Sequence, residues 1–326
     1  MKRIRLVVRG IVVAAAATVL SLPAVAQKID GPIEFVIPFG AGGGADIEGR
    51  LLAEGMSKVL GVPVVPVNKP GAGGAVTYTY VKNAKPDGRT VAWNSTSLLT
   101  TTNIGNVPFD YNAMDQIGQV EYQPMPFAVR ADAPWKTMKD FAADCKKHPG
   151  KYKIANSTTG SATHLAAIAI ANAIGCDVIH VPAGVKRRNA TVLSGEADAM
   201  VAPLTGALKL AKAGKIRLLA IPSPKRNPVI PDVPTMDELG YHADILLFRG
   251  LSVPKGTPQA IKEELADAMI KSAHSKAFMD FAAKNGFTVE TLGVADFEKV
   301  LAAEDQNVKG IMKAAGLYQS EKNKKK

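Results

Sequence analysis

Apolar positions along this chain alternate between two spacings. Ile33-Glu34-Phe35-Val36-Ile37 is a short apolar run of the strand type. From Asp46 onward, Ile47, Leu51, Leu52, Met56, Val59 and Leu60 recur at helical spacing; Gly61 then stops the helix, and 62–67 returns as a second strand interrupted by prolines. The rhythm recurs later: 153–155 is a strand, 161–174 a helix ended by Gly175, and 177–181 a further strand. Alternation of this kind predicts a largely parallel sheet with helices on its faces. Two such βαβ units, about 120 residues apart, predict two α/β lobes rather than one long sheet. The proline-punctuated stretches EYQPMPFAVRADAPW (121–135) and LLFRGLSVPKGTP (246–258) read as strands crossing between the lobes. Beyond them the pattern predicts helices at 260–272, at Lys276–Asn285 and at 295–315, the last open to a break.

The ends of the chain change the picture. Lys2, Arg3, Arg5 and Arg9 precede an apolar run at 11–20, and Ala24-Val25-Ala26 precedes Gln27. That order is the plan of a secretory signal peptide (1–26) cleaved after Ala26, so a periplasmic location is expected. The run is too short to span a bilayer comfortably. Formal net charge is +11, but four of the positive charges lie in that leader and the closing EKNKKK adds a net three. The rest is mildly basic, about +4, without the clustered basic stripe of a nucleic-acid binder. Two cysteines occur, Cys145 and Cys176. In an oxidising compartment they stand either as a disulfide or as two buried thiols.

The candidate chemistry lies where strands meet helices. Gly40-Ala41-Gly42-Gly43-Gly44-Ala45 satisfies the G-x-G-x-x-G/A pattern of dinucleotide folds. Yet the second strand, VPVVPVNKPGAGG, offers no acidic residue for a ribose, and no Gly-Lys-Ser/Thr follows for a phosphate loop. A glycine turn feeding a helix N-terminus suits a carboxylate equally well. The second loop, ANSTTGSATHLAA (155–167), repeats the device with hydroxyls at Ser157, Thr158, Thr159, Ser161 and Thr163. One cap needs one hydroxyl, and that density points to ligand contact.

The run PFGAGGGAD resembles the P-F-x-P-G-G-x-x-D signature of the tripartite tricarboxylate transporter substrate-binding proteins, the Bordetella-type Bug family, also called TctC-like. Agreement continues in GVPVVPVNKPGAGG, AKPDGRTV, PGKYKIANSTTGSATHLAA, HVPAG, LSGEADAM, PDVPTMDELGY and RGLSVPKGTP. The resemblance implies an α/β fold of the type II periplasmic binding protein class: two α/β lobes, two crossover strands and a ligand cleft between them. Lobe 1 is expected at 27–125 and 249–326, and lobe 2 at 126–248. It implies a monomeric periplasmic receptor that binds a small carboxylate, a di- or tricarboxylate being favoured, and delivers it to the large and small subunits of a membrane permease. Neither nucleic acid, cofactor nor metal is implied. Carried over by position, the ligand site takes Phe39, Gly42, Gly43 and Asp46 from the first loop. The second loop adds Ser157, Thr159, Ser161, Thr163 and His164, and Asn94 and Ser97 follow the strand TVAW at the same rim.

Departures from the pattern matter as well. Gly40 and Ala41 replace the usual prolines, which is expected to loosen the first loop. Where the family commonly reads V-P-Y-K-G-G, this chain has VPAGVKRRN, with Lys186, Arg187 and Arg188. Arg187 or Arg249 is a candidate grip for a second ligand carboxylate; the competing reading of KRRN is a solvated charge run. An alternative to transport is a sensor feeding a two-component system. A hydrolase is the rival class, but no G-x-S-x-G elbow or H-E-x-x-H spacing occurs, and His164 reads as an orienting residue rather than a base for Ser161.

Overall fold

A computed structural model describes residues 28–320, apart from Asp244 and Leu246 and the side chain of Lys186. The expected signal peptide and the EKNKKK tail lie outside the described residues. In chain order a first group comprises β1 (Ile33–Ile37), α1 (Gly44–Leu60), β2 (Val64–Asn68), α2 (Ala75–Lys82), β3 (Thr90–Ser95), α3 (Ser97–Ile104) and β4 (Met114–Gln123). Next come β5 (Phe127–Arg130), α4 (Met138–Lys147), β6 (Lys153–Asn156), α5 (Ala162–Ala173), β7 (Ile179–Pro182), α6 (Gly184–Leu193), β8 (Ala199–Val201), α7 (Leu204–Lys212) and β9 (Ile216–Ala220). The chain finishes with β10 (Leu247–Pro254), α8 (Gln259–Ala273), α9 (Lys276–Asn285), β11 (Thr288–Leu292) and α10 (Val294–Ala314).

These strands form two sheets, ordered β11-β4-β10-β3-β1-β2 and β7-β6-β8-β5-β9. The chain passes from the first to the second at 124–126, where Pro124 and Pro126 cannot extend a ladder, and returns between β9 and β10. Each sheet is mixed rather than largely parallel. The βαβ units are parallel (β2-β1-β3 and β7-β6-β8), whereas β10 runs antiparallel to β3 and β4, and β5 antiparallel to β8 and β9. The physical reason is connectivity: a strand that arrives from the other sheet is not bound by the crossover-helix rule that keeps βαβ strands parallel.

Periodicity placed the elements more surely than their faces. In α1 the buried stripe is Ala45, Gly49, Leu52, Met56 and Leu60, while Ile47 and Val59 are exposed. A β1–β2–β3 core under α1 and α8, with Phe35, Trp93, Leu52 and Leu265, carries the first sheet. The second sheet's core gathers Phe127, Phe141, Leu165 and Ile170, and it continues into Phe297, Leu301, Val308 and Met312 of α10. That last helix is unbroken, and it packs on α3 and β4 of the first sheet and on α5 of the second. Cys145 and Cys176 form a disulfide with Cα atoms 5.8 Å apart, joining the end of α4 to the segment after α5.

Candidate functional site

Each glycine- or hydroxyl-rich loop sits where the winding of its sheet reverses. β1 leads into α1 and has β2 on one side and β3 on the other; β6 leads into α5 and has β7 on one side and β8 on the other. Open α/β sheets bind ligands at such points, beyond the carboxyl ends of the strands.

In the first loop Gly42 has φ +82°, a conformation open to glycine. Asp46 Oδ2 accepts from the Gly42 amide at 2.9 Å, and Oδ1 accepts from Arg50 Nε and Asn68 Nδ2, each at 2.9 Å. Asn68 Nδ2 also donates to the Phe39 carbonyl. The loop is therefore tied at both ends despite its lost prolines. Burial opposes the Asp46 carboxylate, but these donors outweigh it and hold its pKa below the ordinary value. The N-cap is Gly43, and Asp46 stands in the first turn as the loop's anchor. With no capping side chain, the first-turn amides at Gly44 and Ala45 have no partner within the helix.

In the second loop Ser161 caps α5 by accepting from the His164 amide. Thr163 Oγ1 accepts from the Ser157 amide at 2.9 Å and lies 3.1 Å from Ser161 Oγ. His164 supports the loop from below: Nδ1 accepts from the Gly160 amide at 3.0 Å, and the ring meets His180 edge-on with centroids 4.9 Å apart. Burial, then the neighbouring His180, brings its pKa down to about 4. Among the described contacts Ser161 and His164 are not paired as nucleophile and base.

The two loops face each other across a partly open cavity of about 40 Å³. A single water needs roughly 10–15 Å³ by this measure, so the space suits a planar group of a few heavy atoms. Phe39, Gly43, Ser157, Ser161, Thr163 and Arg249, all expected at the site, line it. Phe39 and Val185 also line an outer recess of about 380 Å³, where the exposed Arg187 lies. Gly42 and Thr159 are exposed and line neither space; Asp46 and His164 brace the loops. Asn94 and Ser97 stand apart from the cavity. Asn94 is buried between strands, where Oδ1 accepts from Ser252 Oγ, and Ser97 Oγ lies 2.7 Å from both Tyr78 OH and Ser95 Oγ.

Arg249 is buried in β10 with its charge already matched. Its Nε donates to Glu48 Oε2 at 3.0 Å and lies 3.9 Å from Glu121 Oε1. Gln123 Nε2 donates to both glutamates, and Gln123 Oε1 accepts from the amide and hydroxyl of Thr205 in α7, linking the first sheet to a helix of the second. Burial, then the charge of Glu48, pushes the Glu121 pKa well above the ordinary carboxylate range.

Sequence reading singled out Arg187 and passed over its neighbour. Arg188 lines the cavity, is 3% exposed, and donates from Nη1 to Ser157 Oγ at 2.9 Å. Burial pulls its pKa to about 10, which leaves it charged at neutral pH. The signal was helical phase: Arg188, Thr191 and Val192 form the buried face of α6, and Arg187 points away from it.

Among the described residues no helix is long and apolar enough to cross a membrane, and no group of three His, Cys, Asp or Glu is placed to hold a metal ion. Comparison with known proteins agrees with this architecture. A protein of Cupriavidus necator encoded in the 5′ region of gbd is 32% identical over 96% of this chain and 97% of its own length. The solved periplasmic binding protein BugD superposes with a TM-score of 0.83 at 30% identity, over 89% of this chain and 99% of that one. Malate-bound MatC of Rhodopseudomonas palustris shares the fold, with a TM-score of 0.81 at 24% identity over 86% of this chain and 98% of its own. The model of the tripartite tricarboxylate transporter family receptor matches residues 49–317, and the chain belongs to that family.

Proposed function

We propose that this protein is a periplasmic solute receptor that closes two lobes on a small organic carboxylate and presents it to a membrane permease. One observation carries the reading: two switch-point loops, one offering unpartnered helix amides and the other a cluster of hydroxyls, line a single cavity between the sheets. Lobe 1 is taken as 27–125 with 249–326 and lobe 2 as 126–248; the first boundary falls at the change of sheet at 124–126, and the second falls two residues inside β10, which belongs to the first sheet. Phe39, Gly43, Ser157, Ser161 and Thr163 contact the acid; Gly42, Asp46, Thr159 and His164 shape the loops. The leader at 1–26 directs export, with cleavage after Ala26. The receptor performs no chemistry on its ligand.

The test is a thermal-shift and calorimetry panel on the purified protein, unfolded and refolded to strip bound solute, with mono-, di- and tricarboxylates and nucleotides. Ligand at 100 times its Kd adds about 2.7 kcal/mol to stability. The expected result is a shift confined to one carboxylate class, with the solute recovered unchanged. A shift from nucleotides alone would overturn the reading.

A further inference from the structure

Six buried polar atoms without a hydrogen-bond partner lie in one stretch of the chain, and of their residues Arg188 lines the cavity. Asn156 Nδ2 and Oδ1, Thr158 Oγ1, His180 Nδ1, Arg188 Nε and Asn189 Oδ1 all belong to the segment from β6 to α6. Among them only Arg188 carries a charge. It has no carboxylate within ion-pair distance among the described residues, and its one hydrogen bond goes to the neutral Ser157 hydroxyl. A buried, unmatched guanidinium is costly to the fold, and such charges are ordinarily paired. The opposite wall of the cavity adds no counter-charge. The first-turn amides of α1 present the positive end of a helix dipole, and Glu48 is engaged with Arg249.

We propose that Arg188 is the specificity-determining residue of the site, seating one carboxylate group between itself and the N-terminus of α1, and that the ligand is an acid whose inner end bears a single negative charge. The inference rests on the receptor reading above and deepens it. Ion pairing supports it. Of the two arginines that line the cavity, Arg249 is paired with Glu48 at 3.0 Å, whereas Arg188 has no carboxylate within ion-pair distance among the described residues. The small volume admits a carboxylate head, and the body of the acid extends past Phe39 and Val185, which line both this cavity and the outer recess. Arg249 serves as part of the lobe-spanning Glu48–Gln123–Thr205 network, and exposed Arg187 contributes through solvent-screened attraction only.

Calorimetric titration of α,ω-diacids from succinate to adipate, with the monoamide and diamide of each, tests this on wild type, Arg188→Gln and Arg187→Gln. Removing the buried cation is expected to weaken the best diacid about 30-fold or more, whereas Arg187→Gln changes it less than threefold. Monoamides retain binding and diamides lose it, because one charge is recognised. Without acid, Arg188→Gln melts at or above the wild-type temperature. Arg188→Gln binding within threefold of wild type, diamides binding as well as diacids, or an acid-free melting point lowered by several degrees would each overturn the assignment while leaving the receptor reading intact. Failure of every carboxylate to bind wild type overturns both.

Discussion

Val185 Cγ1 of α6 lies 2.6 Å from where a Cβ on Gly43 would stand, so the helix that carries Arg188 rests directly against the N-cap of α1. The contact joins the two sheets across the cavity, and only a residue without a side chain permits it. Gly43 has φ −86°, which alanine adopts freely, so Gly43→Ala tests the close approach and not backbone strain. The expected outcome is a loss of ligand affinity of roughly tenfold or more with little change in the ligand-free unfolding midpoint. Adding Val185→Ala should restore part of the loss, the coupling expected of residues in direct contact. Additive losses in the double variant would count against the contact as the seat of closure.

The protein should become less stable as pH falls from about 6.5 towards 4. His164 has a folded pKa of about 4 against an ordinary 6.5, so in that window the unfolded chain binds a proton that the folded chain refuses. Its contribution is complete above pH 6.5 and is lost as pH falls through the window, at up to about 1.4 kcal/mol per unit. Protonation of the folded form, which sets in only around pH 4, removes the acceptor for the Gly160 amide, so affinity should hold through the window in which stability falls and drop only near pH 4. Urea midpoints measured from pH 7.5 to 4.5 check this. His164→Gln should flatten the slope, and an unchanged slope would assign the effect to other groups.

Asp46 holds the first loop through three donors. Asp46→Ala should cost about 2–3 kcal/mol in denaturant unfolding, since hydrogen bonds to a charged acceptor are each worth about 1.5–3 kcal/mol and are partly replaced by water. Affinity should drop with it, because the Gly42 amide is released. A variant as stable as wild type would mean that the glycine turn holds its shape unaided.

The Cys145–Cys176 bond spans 31 residues of sequence and lies in the second-sheet core. The chain-entropy relation puts the loss on reduction at roughly 3–4 kcal/mol. Urea unfolding with and without reductant measures it, and ligand affinity should change less than twofold, since neither cysteine lines the cavity. A reductant-insensitive midpoint would show the bond to be dispensable.

Local pattern alone carried much of this architecture. β1 and α9 fall on the boundaries read from apolar runs and stop signals, because strand and helix spacing are properties of neighbouring residues. Both loops that line the cavity were legible too, since a strand, a glycine- or hydroxyl-rich turn and a helix start appear consecutively in the chain. Which residues meet across the cleft was decided elsewhere. Arg187 and Arg188 are adjacent and chemically identical, and the phase of α6 against the opposite sheet buries one and exposes the other. Arg249 looked like a free grip until β10 placed it beside Glu48 of α1, 201 residues away in sequence. Asn94 and Ser97 follow a strand end as ligand residues often do, yet the return of β10 beside β3 covers the strand. In each case the deciding partner comes from a distant segment, and its approach depends on how two sheets pack rather than on any property of the residue's neighbours.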